Sequence, residues 1–148
     1  MALVTLSEIL KPARDNHYCV AAFDTSNNDM TLAILETAEA LRSPVILMAL
    51  CVDIEGDKME YWLDGARKMA SRASVPVCLH LDHATDTAFI KKAVDSGFTS
   101  VMYDGSVLPF AENVKNTKKV TEYAHAHGVS VEAELGHVGD GIVGRSET

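Results

Sequence analysis

Aspartate and histidine stand side by side, Asp82-His83, at the end of the apolar run 77–81. A carboxylate can move a proton and an imidazole can hold a divalent metal, so the pair could do both jobs in one place. Asp24 closes the apolar run 19–23, Asp104 closes 100–103, and Glu134 falls at the end of 129–135. The remaining run, 45–48, leads instead to Leu50. Acids gathered in one concave site repel one another and lose solvation, and a bound cation is the simplest way to hold them together. Histidine with carboxylates suits zinc or a similar divalent ion. Each residue also has a structural use. Asp82 can cap a helix starting near Thr85, and Asp104 can fasten the turn Asp104-Gly105-Ser106. Their recurrence in register at successive run ends favours chemistry. His80 shares the side-chain parity of Asp82 and reads as a packed, hydrogen-bonded core histidine. His125 and His127 lie at a helix end, where the dipole suits them; His17 reads as surface and His137 as loop.

The elements that must position these residues follow from the pattern. A short helix over 6–14 precedes the first apolar run. Helical spacing then covers 30–41, stopped by Pro44, and 61–72. It also covers 85–96, closed by Gly97, and 109–127, opened by Pro109 and ended by Gly128. Strand and helix thus alternate, with short continuous apolar strands, which predicts a parallel sheet covered by helices. A closed (β/α)8 barrel and an open doubly wound sheet both fit. No glycine-rich phosphate loop follows the first strand, which weakens nucleotide binding. A barrel takes ~250 residues, so the five strands in these 148 residues would be the first part of one.

Composition narrows the function classes. With 47% apolar and 23% charged residues, the 148-residue chain suits one soluble domain. A formal net charge of −8 argues against nucleic acid. No apolar run approaches the ~20 residues of a membrane helix, and the start lacks the pattern of a secretory signal. Cys19, Cys51 and Cys78 are odd in number and widely spaced, which fits a reduced, cytoplasmic protein. Cys19 and Cys78 read as small core residues. Trp62 and the methionines read as helix face and core.

Longer segments carry a resemblance. His80-Leu81-Asp82-His83, the stretch Gly97-Phe98-Thr99-Ser100-Val101-Met102-Tyr103-Asp104-Gly105-Ser106, and Val131-Glu132-Ala133-Glu134-Leu135-Gly136 resemble class II fructose-bisphosphate and tagatose-bisphosphate aldolases. Pro109-Phe110-Ala111-Glu112-Asn113-Val114 with Thr117-Lys118-Lys119-Val120 does so too. The resemblance implies a (β/α)8 TIM barrel, of which this chain supplies about the first five strands as the N-terminal part of a single domain. It implies a catalytic zinc held by three histidines, the first matching His83 and the others lying beyond Thr148. Asp82 matches the catalytic acid/base. Asp104 and Glu134 match acids that hold metal in an alternative or second position. Asp24 stands at a substrate-binding strand end where the family often has asparagine. The implied reaction is reversible cleavage of a phosphorylated ketose, without a Schiff-base lysine, by a homodimer or homotetramer. Leu50 replaces a frequent serine or threonine. The loop after Gly136 departs from the family's pattern, with Asp140 or Glu147 as substitute acids. These departures bear on the substrate. They also leave room for a non-catalytic aldolase-like subunit, or for an isomerase or epimerase acting on a phosphorylated ketose.

Overall fold

The structure, a computed structural model, describes residues 2–136. Five strands form one parallel sheet in chain order: β1 (Ala21–Asp24), β2 (Val45–Leu50), β3 (Val77–Ala84), β4 (Ser100–Tyr103) and β5 (Ser130–Ala133). Helix α1 (Leu6–Asn16) precedes them, and α2 (Asn28–Leu41), α3 (Lys58–Ala70), α4 (Thr87–Ser96) and α5 (Phe110–Ala126) join successive strands. A doubly wound sheet reverses its strand order at a switch point, whereas the order β1-β2-β3-β4-β5 advances steadily, as a barrel wall does. No described helix is long and apolar enough to cross a membrane.

Local chemistry sets the helix ends. Thr5 and Glu8 form a reciprocal capping box at α1, and the Asn27 side chain accepts the Met30 N–H at α2. The α4 cap is Asp86, whose carboxylate accepts the Ala88 N–H; Asp82 has no part in it. This helix starts two residues later than its apolar spacing predicts because β3 continues through Ala84. β2 likewise runs on to Leu50 and then turns through a short 3-10 segment, Cys51–Ile54, with no clear sequence signal. α3 starts and ends before the predicted 61–72, since its first turn carries only one apolar residue, Met59. Gly97 ends α4 with a φ of 107°, which a side chain would strain.

Strand side chains alternate between two faces. Val45, Leu47, Ala49, Val77, Leu79, Leu81, Val101 and Tyr103 pack under the helices in one large core. On the inner face Ile46 and Cys78 pack on Ile9 of α1, with Val20 and Met48 beside them. α1 thus closes the N-terminal end of the inner face, and its Ser7 N–H donates to Ser130 Oγ at 3.1 Å. Burial pushes the Cys78 thiol up to about 12, so it is an inert core residue as expected. Cys19 is not. It is exposed, because it precedes β1, which forms one edge of the sheet.

Trp62 ties α3 to the strand ends. Its indole N–H donates to the Thr25 carbonyl at 2.6 Å, and its ring stacks on Phe98 with centroids 5.5 Å apart. Trp62→Phe keeps a stacking ring and deletes the donor to a buried residue. The expected cost is about 1–3 kcal/mol, read as a lower urea midpoint with an unchanged m-value in the full-length protein.

Candidate active site

β3 and β4 pair regularly through Leu81↔Val101 and resume at Ala84↔Tyr103. β3 therefore spends one more residue than β4 between the two pairings, which is a β-bulge. His83 takes up the excess with a φ of 47°, a left-handed conformation uncommon outside glycine. Leu81 and Ala84 both stay in the core beneath the helices. Between them, Asp82 and His83 both turn to the inner side, which strict alternation would forbid.

Among the described residues, one group of histidine and acid side chains converges closely enough to share a cation. Ligand atoms of His83, Asp104 and Glu134 all lie within 4.8 Å of one another. His83 Nδ1 donates to Asp104 Oδ2 at 3.0 Å and stands 3.7 Å from Glu134 Oε2. The other oxygen of Asp104 accepts the Ser106 N–H at 3.0 Å, so the turn role and the site role coexist in one carboxylate. Glu134 is held through its backbone: the buried Asn113 side chain donates to its carbonyl at 2.8 Å and in turn accepts from Thr117. Asn113 can lie there because Gly105 has no side chain; a Cβ at that position would meet Asn113 and Tyr103.

The charges act on one another. Partial burial raises the Asp82 pKa, with the charges of Asp24 and Asp104 adding to it and His83 opposing. The hydrogen bond to Asp104 raises His83, burial opposes, and the charges of Asp82, Asp104 and Glu134 add to the rise. For Asp104 burial pulls upward, but hydrogen bonds from Ser106 and His83 outweigh it and hold the carboxyl below its ordinary value. Asp24 is exposed at the end of β1 and reaches the group through its charge on Asp82. His80 is 2% exposed and hydrogen-bonded to Ser100, the core histidine its sequence position predicts. It also faces the acids, 3.5 Å from Glu132 and 3.9 Å from Asp82. Glu132 escapes a reading that takes one acid per strand end. Its shared parity with Glu134 was the available signal. His137, Asp140 and Glu147 lie outside the described residues.

These observations define a class: a parallel α/β barrel wall whose C-terminal strand ends carry a partly buried carboxylate of raised pKa beside a group able to hold a cation. Residues 4–147 match the family described as fructose-bisphosphate aldolase class-II, and the chain belongs to that family. It is 42% identical over 156 residues to a 6-phospho-5-dehydro-2-deoxy-D-gluconate aldolase of Bacillus licheniformis, covering 97% of this chain and 51% of that protein. It is 47% identical over 140 residues to a fructose-bisphosphate aldolase of Thermus caldophilus, covering 92% and 44%. The crystal structure of the YdjI aldolase from Escherichia coli K12 superposes with a TM-score of 0.86 at 34% identity, over 95% of this chain and 54% of that one. The chain spans about half the length of the curated relatives it matches. Its fold is accordingly that of the aldolase (β/α)8 barrels, represented by five consecutive strands.

The raised His83 value can be checked directly. In metal-free protein its imidazole should titrate above the ordinary histidine value, and Asp104→Asn should bring it down. A group whose folded pKa is raised stabilises the fold at low pH and loses that contribution as pH rises through the folded value. Because the imidazole is 48% exposed, the contribution is small. Histidine NMR titration of both proteins reads the shift.

Proposed function

We propose that this chain carries the proton-transfer group and part of the metal site of a zinc-dependent class II aldolase. The reaction is reversible cleavage of a ketose bisphosphate, such as fructose or tagatose 1,6-bisphosphate, to dihydroxyacetone phosphate and an aldehyde. The observation that carries this reading is the convergence of His83, Asp104 and Glu134 beside a partly buried Asp82 of raised pKa. One imidazole and two carboxylates are a donor set that zinc or a similar divalent ion accepts. Such an ion, when bound, polarises the ketose oxygens and stabilises the negative charge left by carbon–carbon cleavage.

The chain's own residues do the rest. Asp82 takes the proton from the C4 hydroxyl during cleavage and returns it during condensation. Partial burial moves its pKa toward the working pH, which strengthens it as a base. Asp104 holds the His83 ring through Nδ1 while no cation is bound, and the same atoms would turn to a cation between them. Asp24 contacts substrate from the end of β1. Lys91 sits over the Tyr123 ring and Lys92 reaches the Gly56 carbonyl, which agrees with chemistry that needs no Schiff base. The 148 residues act as the N-terminal part of a single barrel domain. Further strands supply the remaining histidine ligands and the phosphate site in a cytoplasmic homodimer or homotetramer.

Leu50 pairs in register with Asp82 and brings an apolar side chain to the mouth of the site. Relatives of comparable identity are named for fructose bisphosphate and for 6-phospho-5-dehydro-2-deoxy-D-gluconate, and both names carry a phosphate. Leu50 therefore favours a second reading, in which the phosphorylated substrate is other than fructose bisphosphate. The same residue is what a non-catalytic aldolase-like subunit would tolerate; a metal-dependent isomerase or epimerase acting on a phosphorylated ketose is the other alternative.

Elemental analysis of the full-length protein should give about one zinc per chain, lost in His83→Ala and kept in Asp82→Ala. Asp82→Ala should lower kcat by roughly 10²–10⁴-fold. No metal in any form would overturn the reading in favour of the non-catalytic subunit. Product analysis separates cleavage, which gives two fragments, from isomerisation, which gives one product. The base works ionised, and its pKa is raised, so kcat should fall with decreasing pH from a midpoint above the ordinary carboxylate range.

A further inference from the structure

Two residues before Asp82 on β3, His80 occupies the inner face directly beneath the acids. Its ring is 2% exposed, and Ser100, its partner on β4, is fully buried. His80 Nδ1 and Ser100 Oγ are 2.8 Å apart. The opposite ring nitrogen, Nε2, faces two carboxylates, 3.5 Å from Glu132 Oε2 and 3.9 Å from Asp82 Oδ1. Two neutral tautomers are open to the ring. If Nδ1 carried the hydrogen, the Nε2 lone pair would point at two carboxylates, which is repulsive in a poorly solvated site. The imidazolium is also disfavoured, since burial, aided by the charge on His83, brings His80 down to about 4. The remaining form is neutral with hydrogen on Nε2. Ser100 then donates its hydroxyl hydrogen to Nδ1; a hydroxyl can donate or accept, so the carboxylates at Nε2 select the tautomer and the serine holds the ring in place.

We propose that His80 is a positioning residue: with its ring held by Ser100, it presents one Nε2–H from beneath to the Asp82 carboxylate and shares it with Glu132. The inference rests on Asp82 being the proton-transfer group. A single N–H midway between two acids holds neither tightly, and a small rotation of either carboxylate completes a hydrogen bond. A neutral donor orients Asp82 without the strong stabilisation of its ionised form that an arginine or lysine would bring, so the carboxylate keeps its strength as a base. The bulge begins after Leu81, one residue beyond this pair, so His80 lies in the last regular stretch of β3 and supports the strained segment from below.

The test uses the full-length, metal-loaded protein with His80→Leu, His80→Gln, Ser100→Ala and Asp82→Asn. His80→Leu should lower kcat by roughly 10- to 100-fold, with KM and zinc per chain unchanged. His80→Gln brings an amide N–H near the position of Nε2 and should restore most of kcat. A residue that merely fills space would give the opposite order, or equal losses. Spectra of protein labelled with ¹⁵N-histidine should show the Nε2–H tautomer for His80, kept in Ser100→Ala; this readout stands if His80→Leu fails to fold. Unchanged kcat in His80→Leu, a His80→Gln protein as impaired as His80→Leu, or an Nδ1–H tautomer in the parent protein would each overturn the proposal. Loss of activity in Asp82→Asn with none in His80→Leu overturns this proposal alone. Full activity in Asp82→Asn removes the proton-transfer reading and this one with it.

Discussion

Neighbouring residues of a β-strand point to opposite faces, and β3 breaks that rule at Asp82 and His83. The break needs one extra residue and a left-handed histidine, a conformation that stores backbone strain of the kind found at functional sites. Hydrogen bonds on either side offset the strain. The Asp104 N–H donates to the Ala84 carbonyl at 2.9 Å, which restores the ladder beyond the bulge. His83 itself is held by Asp104 at 3.0 Å. Everything chemical in the sheet depends on this arrangement. Without the extra residue, an acid and an imidazole adjacent in sequence would lie on opposite sides of the wall, one of them among the helices.

The acids around that pair are tolerable because their environments differ. Asp104 is stabilised as a carboxylate by the Ser106 N–H and by His83. Glu134 stands 3.7 Å from the same imidazole. Loss of solvation and the neighbouring charges of Asp82 and Glu134 raise Glu132. The two histidines divide the work by height: His80, deep in the wall, is driven neutral, and His83, half exposed at the rim, is driven toward its charged form. Burial in one case and the hydrogen bond to Asp104 in the other therefore sort two identical side chains into different electrical roles.

Much of this was legible in the sequence, for physical reasons. Strands buried on both faces read as continuous apolar runs, and helices between them read by their spacing, so element order and parallel pairing followed. Asp82, His83, Asp104 and Glu134 were visible because a parallel barrel gathers its strand ends on one rim. What failed was local. β3 outlasts its apolar run because its last residues are the site itself, so the capping role fell to Asp86 rather than Asp82. The bulge left no mark, since a histidine with positive φ looks like any other. Asn113 was equally hidden: a polar residue in an amphipathic helix reads as solvated until Gly105, in the turn before that helix, makes room for it beside the Glu134 backbone.

Trp62 is the single tryptophan of the chain. Its indole is hydrogen-bonded to Thr25, the residue after Asp24, and stacked on Phe98 at the base of the strand that ends near Asp104. The fold has thus placed one intrinsic fluorophore between two strands that lead to the rim. Its emission wavelength and quenching report the separation of α3 from the end of β1 without any introduced label. Because there is no second tryptophan in these 148 residues, the signal from this segment has a single origin.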